Sequence, residues 1–284
     1  MCVGLSAKVV RISDGTAVVD AGGAKRSVSS ELLEDLEPGD YVMVHAGIAI
    51  AKITDEDDRS VDGGTSVMSE GKKTAREIIE GYDGPAVRIM EVCGTHTHEI
   101  FRLGIRKLLP KQVELISGPG CPVCVTPVSY IDEAVYLALE KSVTICTFGD
   151  LVRVPGSKKS LADARSEGGK IHIVYSPADA EKYAKEHPEE EVVFLSVGFE
   201  TTTPAGCLSV KKAKEEGITN YSMLIANKTM PQAYEALKGS ADIFLYPGHV
   251  NAITGTKLCE ELVQEGVSGV VAGFTAKELL TALA

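Results

Sequence analysis

The chain has 284 residues, 44% of them hydrophobic and 24% charged, with a net charge of −11. That length allows two or three compact domains with proper cores, and the acidic balance argues against nucleic acid or an anionic membrane as the main partner. No apolar run approaches the ~20 residues a membrane span needs, the start M-C-V-G-L-S-A-K shows no secretory signal, and seven cysteines in a long chain do not read as a secreted disulfide framework, so a cytoplasmic protein is expected.

Residues 1–54 read as all-β. Strand-like runs at 7–12, 16–20, 25–29 and 41–45 are separated by the turn signals S-D-G, A-G-G and P-G-D, and A-G-I-A-I-A-K-I closes the module. Several short strands in so few residues predict a small, OB-like closed barrel, which also removes exposed edges. Cys2, once Met1 is removed, would offer a thiolate and an α-amine at the chain terminus, and it reads equally as an arbitrary second residue. The acidic, Gly/Ser-rich stretch at 55–73 lacks apolar periodicity and reads as a flexible linker that keeps the barrel at high effective concentration beside the rest of the chain.

From residue 74 strands alternate with helices. Strands are predicted at 87–92, 113–117, 143–148, 171–175, 192–197, 221–226, 243–246 and 269–272. Helices are predicted at 74–80, 99–109, 129–140, 161–167, 178–186, 208–216, 232–238 and 256–265. This alternation implies an α/β body with parallel, doubly wound sheets. The spacing suggests two halves with a cleft between them, one over 74–165 and one over 166–284.

The unusual motifs fall just after strands, where open α/β sheets bind ligands. C-G-T-H-T-H follows the first strand and G-P-G-C-P-V-C the second; F-G-D-L-V-R-V-P-G-S, G-F-E-T-T-T-P and P-G-H-V-N-A-I-T-G follow the third, fifth and seventh. Cys93, Cys121 and Cys124 are flanked by Gly, Pro, Thr and His rather than by core residues, which points to a transition metal or to thiol redox chemistry. Cys146 and Cys259 lie in apolar runs and read as buried hydrophobes. Thr95, His96 and His98 can bond a ligand or orient Cys93, with the two histidines on one side of an extended segment; Thr95 reads as well as the cap of a helix starting near Glu99. The C-x-x-C pair suits thiol–disulfide exchange, because no second C-x-x-C or H-x3-H follows to complete a structural zinc site. Glu200, Thr201, Thr202 and Thr203 stand at a strand-to-helix junction that favours anions or polar ligands, with simple capping as the alternative for each threonine. Asp150 and Arg153 read as an ion pair or an anion contact, and His249 is a lone histidine in a Gly/Pro turn.

Residues 87–284 resemble the hydrogenase maturation factor HypD through M-E-V-C-G-T-H-T-H, G-I-R-K-L-L-P, S-G-P-G-C-P-V-C-V-T, F-G-D-L-V-R-V-P-G-S, Y-S-P-A-D-A, G-F-E-T-T-T-P, P-G-H-V and V-V-A-G-F. Residues 1–54 resemble its small partner HypC through the initial M-C and G-D-Y-V-M-V-H-A-G-I-A-I-A-K-I, with Ser6 and Ala7 where HypC usually has Pro-Gly. The resemblance implies a fused scaffold on which the Fe(CN)2CO centre of nickel–iron hydrogenases is assembled. HypE, with HypF, would donate cyanide, and the hydrogenase large subunit would accept the product. It implies iron-bridging thiols at Cys2 and Cys93 and a redox-active pair at Cys121 and Cys124. His96 and Glu200 would serve the chemistry; Thr95, His96, Thr201, Thr202 and His249 would surround the iron. The family's four-iron four-sulfur cluster is expected as well, yet no cysteine follows Cys259 in this sequence to hold it. The alternatives are a thiol–disulfide oxidoreductase using the C-x-x-C pair and a partner-binding module without chemistry.

Overall fold

The computed structural model describes residues 5–21, 23–45, 47–53 and 73–284. Cys2 and, apart from Lys73, the expected linker lie outside the described residues. Strands β1 (Leu5–Ser13), β2 (Thr16–Ala21), β3 (Ala24–Ser29), β4 (Tyr41–His45) and β5 (Ile48–Ile53) close into a barrel in the order β1-β2-β3-β5-β4. The S-D-G signal makes the first hairpin. Asp14 and Gly15 both take positive φ, 46° and 71°, matching the right-handed twist of the strands they join. Alternate positions point inward, so Ala7, Val9, Ala17, Val19, Val28, Val42 and Ala49 fill the barrel.

The body begins with α1 (Ala75–Glu80), β6 (Val87–Glu91), α2 (Gly94–Arg102), β7 (Val113–Ser117), α3 (Val128–Glu140) and β8 (Thr144–Thr147). It continues through α4 (Leu161–Ser166), β9 (Ile171–Ile173), α5 (Pro177–Glu186), β10 (Val192–Ser196), α6 (Thr203–Glu215) and β11 (Tyr221–Ile225). The last elements are α7 (Met230–Ala236), β12 (Ile243–Pro247), α8 (Gly248–Thr254), α9 (Lys257–Gln264), β13 (Ser268–Ala272) and α10 (Ala276–Leu283). Two four-stranded parallel sheets result, one ordered β13-β12-β6-β7 and the other β11-β10-β8-β9. Each has an apolar cluster on both faces, the requirement for a buried parallel sheet.

The expected division near residue 165 does not match the sheets. It falls between β8 and β9, which pair directly, whereas β12 returns from beyond residue 240 to pair with β6, Ile243 opposite Ile89. Strand spacing along the chain carries no information about which strands pair, because a helical crossover can lead to either sheet. The sequence reading also missed α8 and α10. Helix α8 hides in P-G-H-V-N-A-I-T, whose Gly and Pro suggest a turn although Pro247 stands just before the first helical residue, where it costs no hydrogen bond.

Among the described residues the barrel packs on the body at an apolar patch. Ile48 and Ile50 of β5, with Met43 of β4, pack against Ala205 and Leu208 of α6 and Ile253 of α8. Among the described helices none is long and apolar enough to cross a membrane.

Candidate functional site

Strand β6 ends at Glu91, and Cys93 follows in an extended conformation (φ −154°, ψ 126°) as the residue that starts α2. The helix therefore begins at Gly94 rather than near Glu99, and Thr97 donates its N–H to the Cys93 carbonyl at 3.2 Å. That corrects two expectations. His96 and His98 do not share a side, because two residues turn ~200° on a helix: His96 is fully buried, and the His98 side chain is 68% exposed. Thr95 does not cap; its N–H and hydroxyl, with the N–H of His96, point at the Cys93 sulfur. Burial pushes the Cys93 thiol above the ordinary thiol range, and these donors act against that push by favouring the thiolate.

A small cavity of about 20 Å³ lies beside Cys93, with room for one or two water-sized groups. Cys93 and Val92 come from the end of β6, Gly120 from the loop after β7, and Pro247, His249 and Val250 from β12 and α8; Phe199, Thr201 and Met230 come from the carboxyl side of the other sheet. The cavity thus lies between the carboxyl ends of both sheets, as the motif positions implied. Gly120 has a steric reason. A Cβ there would stand 2.5 Å from the Cα of Cys93 and 2.6 Å from the nitrogen of Gly94, so only glycine lets the C-x-x-C loop lie against the buried cysteine.

That loop carries Cys121, half-buried, and Cys124, exposed, both free thiols. The N–H of Cys124 donates to the Cys121 sulfur at 3.4 Å. A hydrogen bond between the two side chains is the main cause raising the Cys124 thiol above its usual range, followed by burial. The sulfurs are therefore neighbours in the dithiol state.

The remaining expected residues divide. Thr201 and His249 line the cavity with Cys93. His96 stands behind the wall: its Nε2 donates to the carbonyls of Ala272 and Gly273 at 3.1 and 3.0 Å, and its Nδ1 is buried with no hydrogen-bond partner among the described residues. Burial holds His96 below the usual histidine range, so it is neutral, with the proton on Nε2. Phe274 lies between His96 and His249, with ring centroids 4.9 and 5.1 Å away. Glu200 accepts the N–H of Met230, the first residue of α7, at 2.7 Å, and its other oxygen is buried with no partner among the described residues. The Thr202 and Thr203 hydroxyls turn away to the Phe199 carbonyl at 3.0 and 3.1 Å. Cys146 lies fully buried in β8, where burial pushes its thiol up to about 12.

Sequence reading missed the apolar lining of Val92, Phe199, Met230, Pro247 and Val250, and the tyrosines behind it. The hydroxyls of Tyr234 and Tyr246 are buried without partners among the described residues, and burial is the main cause raising the pKa of both. It also missed Glu91, fully buried at the end of β6, which is held by Arg106 at 2.6 Å and by the Ser117 hydroxyl at 3.3 Å. Among the described residues no three of His, Cys, Asp and Glu are grouped to hold a metal. The described cysteines are free thiols and offer no four-thiolate set for an iron–sulfur cluster.

Among known proteins, the family model for HypD, described as the hydrogenase formation hypA family, matches residues 69–284. The HupF/HypC family model matches residues 1–62. The chain is 45% identical over 219 residues to a hydrogenase maturation factor HypD of Rhodobacter capsulatus, an alignment that covers 75% of this chain and 58% of that protein. It is 42% identical over 216 residues to HypD of Cupriavidus necator (72% of this chain, 57% of that one) and 44% identical over 199 residues to HypD of Escherichia coli (68% and 53%). The chain thus spans little more than half the length of these relatives.

Proposed function

From the premise that this chain belongs to the HypD family and carries a HypC-family module at its amino end, we propose that it acts in hydrogenase maturation as a scaffold for an iron centre. Iron is the cargo, taken between the thiolates of Cys93 and Cys2 while cyanide and carbon monoxide ligands are added to give Fe(CN)2CO. HypE, with HypF, serves as the cyanide donor in this reading, and the hydrogenase large subunit as the acceptor. The observation that carries it is the cavity at Cys93, a buried thiol beneath helix amides with space for one or two water-sized groups and a dithiol loop packed against it. Soft thiolate donors suit low-spin iron. The raised thiol also means that iron must displace the Cys93 proton on binding, so retention strengthens as pH rises. The docked barrel supports the supply of the second thiolate from the HypC-like module, because an intramolecular donor acts at an effective concentration of roughly millimolar or above.

The test is iron content after anaerobic reconstitution of Cys2→Ala, Cys93→Ala and Cys146→Ala, with infrared spectra of the loaded protein. The first two should lose iron and the cyanide and carbonyl bands while staying folded; Cys146→Ala should keep both. Full iron in Cys93→Ala overturns the reading.

The neighbouring sulfurs of Cys121 and exposed Cys124 favour a second reading, thiol–disulfide exchange with the pair passing two electrons and two protons to a disulfide. Thiol counting under mild oxidation should lose both thiols together. Turnover of a small disulfide, undiminished in Cys2→Ala and Cys93→Ala, would put this reading first.

A further inference from the structure

A second, larger cavity, about 640 Å³, opens on the other sheet, and no step proposed for the cysteine site uses it. It lies at the carboxyl ends of β8 and β9, formed by the F-G-D-L-V-R segment and by α4, with Asp150, Val152, Arg153, Ala162, Arg165 and Ile173 in its wall. β8 pairs with β10, whose following loop supplies Phe199 and Thr201 to the cysteine cavity, so both sites occupy one rim of one sheet. Two features of this cavity suit a ligand. Arg153 and Arg165 come from different elements, and among the described residues neither guanidinium has an ion-pair or hydrogen-bond partner, although this chain carries 40 acidic residues to 29 basic ones. The wall also carries the apolar side chains of Val152, Ala162 and Ile173, with Ile173 left 42% exposed on its strand.

We propose that this cavity is a binding site for a small molecule bearing a carboxylate or phosphate group, held by Arg153 and Arg165. A guanidinium presents a planar fork of N–H donors matched to two oxygens of such a group, and two forks from separate elements fix its position as well as its charge. Val152 and Ile173 on the same wall cover its carbon skeleton. The net charge of −11 repels anions from the surface generally, so saturable anion binding is a local property of this cavity. The proposal does not depend on iron at Cys93.

The probes are inorganic phosphate and, separately, malonate, titrated into the full chain at constant ionic strength and followed by calorimetry and amide chemical shifts. At least one should saturate in the millimolar range with shifts around 149–153 and 162–173; the tighter of the two identifies the ligand's acid group. Arg153→Gln and Arg165→Gln should each weaken that binding on the order of tenfold or more, as loss of a charge-assisted contact does. Arg→Lys at either position should recover part of it, and Lys170→Gln, whose partner is Glu190, should change nothing. Both guanidinium-bearing residues are exposed, so the variants should keep the parent circular dichroism and melting temperature. Absence of saturation by either probe, or binding indifferent to both Arg→Gln changes, overturns the proposal.

Discussion

At the scale of single residues, polar groups taken out of water decide most of what this site can tolerate. Glu91 is fully buried and Arg106 is its charged partner, which gives G-I-R-K-L-L-P a structural role. Arg106→Met should leave that carboxylate uncompensated and cost on the order of 3–5 kcal/mol in urea unfolding, whereas a surface ion pair such as Lys159–Glu167 should cost under about 1. Tyr234 presents the opposite case. Its hydroxyl is buried without a partner among the described residues, so Tyr234→Phe should leave the urea midpoint unchanged or raise it; a marked loss would show that the hydroxyl bonds an internal water. His96 sets a pH response. Its folded pKa is depressed by burial, so below about 6.5 the unfolded chain binds a proton that the folded chain refuses. Stability should fall as pH is lowered from 7 to 5.5, by at most about 1.4 kcal/mol per pH unit from this residue. The fall should be shallower in His96→Gln, as measured by urea midpoints at both pH values.

At the scale of elements, the decisive events happen where strands end. C-G-T-H-T-H is polar enough to read as a loop, yet the chain passes from β6 into α2 within two residues. That turns Cys93 inward beneath the first helical amides and sends His96 to clamp the loop after β13. Among the described residues the barrel is held chiefly by Ile48 and Ile50 against Ala205, Leu208 and Ile253. Burial of one such side chain stabilises by roughly 1.5–3 kcal/mol, so a charge there should undock the module. Ile50→Asp should enlarge the radius of gyration in small-angle scattering while the body keeps its own melting transition; an unchanged radius would show that other contacts hold the barrel.

At the scale of the whole molecule, the second sheet is built from one continuous stretch and the first is not. Strands β8 to β11 lie between residues 144 and 225, whereas β6 and β7 wait for β12 and β13 from the far end of the chain. A fragment of residues 126–228 should therefore fold cooperatively by itself, and a fragment of residues 166–284 should not, because it lacks β8 from one sheet and β6 from the other. Amide dispersion and thermal unfolding of the two fragments check this.

The sequence by itself determined the fold class, the barrel and the rim that carries the motifs. Periods of two and of 3.6 residues are local signals, and polar clusters stand out where apolar runs stop. Cys93, Thr201 and His249 were legible for the same reason, as reactive or polar residues in Gly- and Pro-rich turns. Only the tertiary structure decided which strands share a sheet, since Ile89 meets Ile243 across a separation that leaves no local trace. It alone placed His96 behind the cavity rather than in it, because one helical residue more or less rotates a side chain by ~100°. It alone supplied the apolar lining of Phe199, Met230 and Val250, residues that look like any other core until two sheets close over them and leave a space.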